Sequence, residues 1–257
     1  MTPAGAADTS ERLRALARTE PGLEPAARAV LAARWAERAR HELATSLAFV
    51  EVGRALAECG AEGEQCATAR FAVNEEKLHA ELCALIAEHY AGTTLPAPRA
   101  EPAQPARFDG ASPREASLLY VVMHCAIGES IASAYLGRCL ETAGTELTHE
   151  ALRMMLADEV RHARLGFAFL ARTSAQGREL VQRALPSLLR AVLEFWVDER
   201  GYPDAIPAGH GCLDRRELRA AVREGLEELV LPGLELVGVG TRAGRDGLER
   251  SGYFGRR

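Results

Sequence analysis

Apolar residues recur along most of this chain at intervals of three and four, the period of a helix that buries one face. One stripe runs Leu31, Trp35, Arg38, Glu42, Thr45, Phe49, Val52, Leu56, and a second runs Ala72, Glu76, His79, Cys83, Ile86, Tyr90. A third runs Leu118, Val122, Cys125, Glu129, Ala132, Leu136. The fourth holds Leu152, Met155, Leu156, Ala163, Gly166, Phe167 and Leu170, with Glu159 and His162 in its middle. Every stripe is interrupted by an acid, and two also by an imidazole.

Glycine and proline mark the ends of these segments. The first helix is expected from Pro25, well placed in a first turn, to Glu58, and Cys59-Gly60 ends it. The second follows to about Tyr90. The stretch 91–111 is proline-rich and cannot be helical throughout. Ser112-Pro113-Arg114-Glu115 reads as a capping box opening a third helix to about Thr142, and a fourth continues to about Thr173. Ser174 begins a fifth with a kink at Pro186. Asp214-Arg215-Arg216-Glu217 begins a sixth that is expected to break near Pro232-Gly233. Strand-like β-branched runs are rare, so the fold class is all-α. The partition is a flexible segment 1–24, a bundle 25–173 with a linker 91–111, a helical extension 174–240 and a mobile tail 241–257.

Short turns join the first helix to the second and the third to the fourth, so each pair is an antiparallel hairpin. About 20 extended residues reach roughly 65 Å, and a 30-residue helix is only about 45 Å long. The linker can therefore cross the whole bundle and start the third helix parallel to the second. This is a four-helix bundle with one long crossover, plus two additional C-terminal helices.

Composition narrows the function classes. The 257 residues are 47% hydrophobic and carry a net charge of −5, which suits a globular chain with a sizeable core and gives no basic footprint for nucleic acid. Six scattered cysteines form no C-x-x-C pair, which argues against zinc-ribbon or rubredoxin-type sites and against a disulfide framework. The N-terminus lacks an apolar leader and no run reaches the length of a membrane span, so no membrane partner and a cytoplasmic location are expected.

The chemistry lies in the interruptions. Residues three apart on a helix face one point, so Glu76 with His79 and Glu159 with His162 each form a two-ligand unit. With one Glu each from the other two helices, Glu42 and Glu129, the set matches the ligand pattern of dinuclear iron or manganese carboxylate bundles. Four carboxylates and two imidazoles suit two hard-to-borderline cations. One Glu-x-x-His is expected by chance, and Glu146-Leu147-Thr148-His149 reads as that case. The repeat is stronger: Glu42 to Glu76 spans 34 residues and Glu129 to Glu159 spans 30, each enclosing a hairpin that returns to the same height. Unpaired, the buried carboxylates would cost several kcal/mol each.

The segments "ELATSLAF", "NEEKLHAEL", "CAIGESIA" and "DEVRHARLGF" resemble the ferritin-like superfamily, and more narrowly a group of bacterial ferritin-like proteins. The resemblance covers about residues 25–173. It implies metal ligation by Glu42, Glu76, His79, Glu129, Glu159 and His162, with Asp158 hydrogen-bonding a ligating histidine of the other half. In the first motif Glu75 stands where Asp is usual and Leu78 where Arg is usual, so the reach of Glu75 towards its histidine differs from the pattern.

The remaining candidates have local explanations. Lys77 points away from Glu76. Cys125 and Arg38 lie one turn before Glu129 and Glu42 on the same faces; either could line a cavity, and the favoured readings are a buried hydrophobe for Cys125 and an i,i+4 ion-pair partner of Glu42 for Arg38. His41 and His124 neighbour the stripes without joining them, and small residues crowd Glu129, either for close packing or to leave room for a substrate. Tyr135 lies off the ligand direction, and Tyr90 lies three turns beyond His79. The expected cofactor is two Fe ions, or a Mn/Fe pair. The expected function is an oxidase or oxygenase that activates O2 to oxidise a small organic substrate held in the bundle, with an electron donor and a possible homodimer. Iron oxidation or peroxide scavenging is the alternative, and a metal-stabilised scaffold without enzyme activity is the second.

Overall fold

The computed structural model describes residues 22–100, 108–197 and 202–253. Helix α1 is Pro25–Glu58, α2 is Gly63–Ala91, α3 is Pro113–Thr142 and α4 is Glu146–Arg172. Helix α5 is Ala175–Trp196, α6 covers 215–236 and α7 is Arg242–Ser251. Both predicted capping boxes form, Ser112 with Glu115 at the start of α3 and Asp214 with Glu217 at the start of α6.

Contacts between helix ends fix the directions. Arg28 near the start of α1 donates to the Tyr90 carbonyl at the end of α2 (2.9 Å), so this pair is antiparallel. Arg114 at the start of α3 donates to the Cys59 carbonyl just past α1 (2.9 Å), which sets α3 antiparallel to α1 and parallel to α2. Arg172 at the end of α4 pairs with Glu62 just before α2 (3.1 Å). The four helices are a ferritin-like bundle with the crossover between α2 and α3. Part of that linker, and the segment expected to be flexible at the N-terminus up to residue 21, lie outside the described residues.

The core is split in two. One apolar cluster takes Phe49, Val52 and Leu56 from α1, Ala69 and Ala72 from α2, and Leu165 and Phe169 from α4. The other takes Leu31, Trp35 and Ala39 from α1, Leu82, Ile86 and Tyr90 from α2, and Leu152 and Met155 from α4. On α1, α2 and α4 the gap between them is where the acid interrupts the stripe.

Three expectations are corrected. Helix α3 is long and apolar enough to cross a membrane, contrary to the expectation that no run is. Two-thirds of its apolar window is buried inside the bundle, so this is the composition of a central helix with neighbours on most sides. Helix α6 does not break at Pro232-Gly233. It widens into a π segment, Gly225–Val230, and continues as Leu231–Leu236. A looser turn before the proline relieves the clash between its ring and the carbonyl four residues back. The expected mobile tail is helical over Arg242–Ser251, which adds a third C-terminal helix. Gly244 allows that helix a close approach: a Cβ there would lie 2.8 Å from the Leu185 side chain on α5.

Candidate metal centre

The gap in the core is filled by the six residues that interrupt the stripes. Glu42 (α1), Glu76 and His79 (α2) and Glu159 (α4) form one group whose ligand atoms all lie within 4.8 Å of one another. Glu76, Glu129 (α3), Glu159 and His162 (α4) form a second on the same criterion. Glu76 and Glu159 belong to both, so they are the residues able to bridge two ions. Helical spacing puts each pair on one face, and the two antiparallel hairpins bring the faces to one level.

Local backbone features support this convergence. A seven-residue π segment, Val122–Gly128, immediately precedes Glu129 in α3. Gly166, one turn past His162, lets α4 approach it closely: a Cβ on Gly166 would sit 2.3 Å from the Ala126 nitrogen and 2.7 Å from the Cys125 carbonyl carbon. Ser130 and Ser133 donate to the carbonyls of Ala126 and Glu129 within their own helix. Among the small residues near Glu129, Ala126 therefore serves packing, while Ala132 faces a cavity.

Each histidine is held from behind by a carboxylate of the other half. His79 Nε2 donates to Asp158 Oδ2 (3.1 Å), and His162 Nε2 donates to Glu75 Oε2 (2.9 Å). The longer Glu75 side chain does reach its histidine. Arg161 Nη2 ties the two carboxylates together, at 2.6 Å from Glu75 and 2.7 Å from Asp158. One arginine thus serves both sides, and Leu78 leaves no counterpart on α2. With Nε2 occupied, both Nδ1 atoms face inward: His79 Nδ1 is 3.4 Å from Glu76 and from Glu159, and His162 Nδ1 is 3.0 Å from Glu76 and 3.2 Å from Glu159.

The donor set fits a pair of divalent cations. Both Glu76 carboxylate oxygens and His79 Nδ1 are buried without a well-aligned hydrogen bond, and meet only the neighbouring acids and imidazoles of the two groups. Buried charge of this kind is costly unless paired, and two divalent cations balance four carboxylates. Oxygen and imidazole donors with no thiol in either group suit iron or manganese.

Without cations, the groups compensate with protons. Burial pushes the Glu42 carboxyl up to about 8, with the Glu76 and Glu159 charges adding to the rise against a hydrogen bond from His79. Burial, then the Glu159 charge, holds Glu129 well above the usual carboxylate range. Burial favours a neutral His79 ring, but the Glu76 charge and bonds to Asp158, Glu159 and Glu42 prevail and raise it well above its ordinary value. His162 is raised in the same way against burial, through bonds to Glu159, Glu75 and Glu76. In Glu159 burial again opposes ionisation, and bonds from His162 and His79 keep it ionised below the normal range.

The centre opens on one side. A cavity of about 320 Å³ is lined by Glu42, Glu129 and Glu159 and walled by Arg38, Tyr135 and Trp196. Glu42 is the most accessible of the six, with 13% of its side chain exposed, whereas Glu76, His79 and His162 are sealed.

Other candidates separate cleanly. Lys77 is exposed, as are Glu146 and His149 in the first turn of α4. Cys125 is fully buried beside Glu129. His124 stacks on Tyr120 at 4.4 Å, and His41 stacks on Phe195 at 5.2 Å beside the cavity. The expected ion pair of Arg38 with Glu42 is not made. Arg38 instead donates to Tyr135 Oη (2.5 Å) and the Gly211 carbonyl (3.1 Å), because burial under α3 and the 202–214 loop offers nearer acceptors. Trp196 and Tyr202 were not singled out as wall residues from sequence, and Tyr135 was set aside as lying off the ligand direction. Tyr202 lies in irregular chain with no periodicity to mark it.

No protein-family model matches the sequence, and no curated protein matches it. The narrower bacterial group therefore stays a resemblance. Among solved structures, the chain is similar to a Synechococcus protein described as "Protein 19 with aldehyde deformylating oxidase activity". The TM-score is 0.55 at 18% identity, over 89% of this chain and 100% of that one. At that identity the likeness is one of fold.

Proposed function

We propose that the protein is a dinuclear iron carboxylate enzyme, with a Mn/Fe pair as the variant composition, that activates O2 to oxidise or oxygenate a small organic substrate. Glu42, Glu76, His79, Glu129, Glu159 and His162 hold the ions, and Asp158 and Glu75 fix the two histidine rings through Nε2. The chemistry the bound ions supply is the reduction of O2 with electrons from an external donor. The chain's own residues do the rest. The two apolar clusters exclude water from above and below, the sealed histidine side prevents entry from behind, and the walls seat the substrate against Glu42, Glu129 and Glu159.

The observation that carries the reading is the cavity of substrate size lined by three of the six ligand residues. The Synechococcus protein, with the oxidase activity of its own description, lends an oxidase precedent for this fold.

The test is metal content by plasma mass spectrometry after expression with iron and manganese both supplied, followed by O2 uptake of the reduced protein. About two redox metals per chain are expected. Glu159→Ala should lose at least one, and Glu146→Ala should lose none. Equal occupancy in both variants, or a folded protein without redox metal, overturns the proposal. Repeated O2 uptake driven by added ferrous ion alone, with a ferric product accumulating, replaces it with iron handling.

A further inference from the structure

The cavity wall contains a positive charge that no acid among the described residues neutralises. Arg38 is 93% buried (7% exposed) on α1, one turn before Glu42. Its Nη2 is occupied by neutral acceptors: Tyr135 Oη, the Gly211 carbonyl and, at 3.5 Å, Cys139 Sγ. Its Nη1 is buried with no hydrogen-bond partner, and among the described residues no carboxylate lies within 4.0 Å of the guanidinium. Trp35 and Tyr135 flank it at 4.3 and 5.0 Å, which orients the charge without cancelling it. The neighbouring Arg34 is different, being paired to Glu37 and stacked over Tyr202 at 4.0 Å.

The acids lining the same cavity do not serve as partners. Glu42, Glu129 and Glu159 belong to the two metal-ligand groups, and Glu194 is exposed at the rim. A guanidinium keeps its charge at any accessible pH, and among the described residues none offers it a carboxylate, so an anion from outside can serve as its partner. One unused donor suits a single carboxylate oxygen. A phosphate would need several donors and would face the acidic side of the cavity. The other walls, Ala132, Leu136 and Trp196, suit an apolar body. Arg38 stands four residues from Glu42, about 6 Å along the helix, so an acid anchored there lays its body across the three ligand carboxylates.

We propose that the substrate is a small organic acid with an apolar body, and that Arg38 Nη1 binds its carboxylate and sets specificity. This rests on the cavity being the substrate chamber of the metal centre.

The probes are 4-fluorobenzoate and its uncharged counterpart 4-fluorobenzamide, titrated by fluorine NMR into protein loaded with Mn(II) under argon and into chelator-treated protein. The wild type should bind the acid roughly tenfold or more tightly than the amide, in both forms. Arg38→Gln should abolish that preference and Arg38→Lys should keep part of it. A preference that survives in Arg38→Gln but disappears on chelation assigns the anion to the metals and overturns the proposal. Equal binding of acid and amide to the wild type, or binding of neither, also overturns it. One measurement needs no variant: saturating benzoate should shift the Arg38 side-chain nitrogen resonances of the wild type, and unshifted resonances count against the proposal. If the protein binds no redox metal, an Arg38-dependent preference in the chelated form still stands, so failure of the metal centre and failure of the anion site are told apart.

Discussion

Replacing Gly166 by alanine tests whether the close approach of α4 to α3 is what holds the centre together. The new Cβ would meet backbone, at 2.3 Å from the Ala126 nitrogen and 2.7 Å from the Cys125 carbonyl carbon, whereas ordinary contact begins at 3.4 Å. No side chain can rotate away, so the helices must part by about 1 Å. Overpacking of a tight core costs about 1–3 kcal/mol. Against this, alanine gains about 1 kcal/mol over glycine inside a helix. Contact with backbone puts the cost at the upper end of its range, which leaves a net loss of about 1–2 kcal/mol. For a chain of this size that is a fall in Tm of roughly 2–8 °C. Gly137 on α3 is the control, because a Cβ there meets nothing within 4 Å. Gly137→Ala should gain the propensity without the clash, about 1 kcal/mol, and raise Tm by roughly 2–4 °C. The assay is thermal melting of both variants beside the parent, with metal stoichiometry on the same samples. Parting the helices moves Glu159 and His162 away from Glu129, so Gly166→Ala should also lose occupancy. A Tm that rises in both variants, with full metal loading, would refute the argument.

Two further outcomes follow from the hydrogen bonds and charges. Glu75→Gln weakens the anchor of His162 and should reduce metal affinity about 10–100-fold with little effect on melting of the metal-free protein, as read by competition with a chelator. Unchanged affinity would make that contact incidental. The second concerns pH. Glu42, raised to about 8, and Glu129, His79 and His162, raised likewise, stabilise the metal-free fold most below their unfolded-state pKa values and lose that contribution as pH rises through the folded ones. For Glu42 the loss runs from 4.5 to about 8. Metal-free protein should therefore melt progressively lower between pH 6 and pH 9, and metal-loaded protein should not. Since cations displace the same protons, apparent metal affinity should rise over that window, with proton release measurable in weakly buffered solution.

The bundle and the convergence of the six side chains were legible because both follow from one local regularity. A period near 3.6 residues fixes which positions face inward, and intervals that each enclose one hairpin return the chain to the same height. Glu42, Glu76, His79, Glu129, Glu159 and His162 could be picked out without knowing any contact. What escaped the sequence is set by distant partners. Arg38 has a glutamate at the spacing of a helical ion pair, yet it bonds to Tyr135 and Gly211, 97 and 173 residues away. Tyr202 joins the cavity from a stretch with no period. The helix in the tail escaped for the same reason: Gly244 admits the Leu185 side chain of α5, a contact no local pattern marks.

The side on which the centre opens would govern the order of events in time. Glu76, His79 and His162 are shut off from solvent, so on the proposed function ions would enter and leave past Glu42, through the space proposed for the substrate. Loading would then come first and substrate second. Once seated, the substrate would act as a stopper: it would lengthen the residence of the ions behind it, and stripping by a chelator would slow to the pace at which the substrate departs.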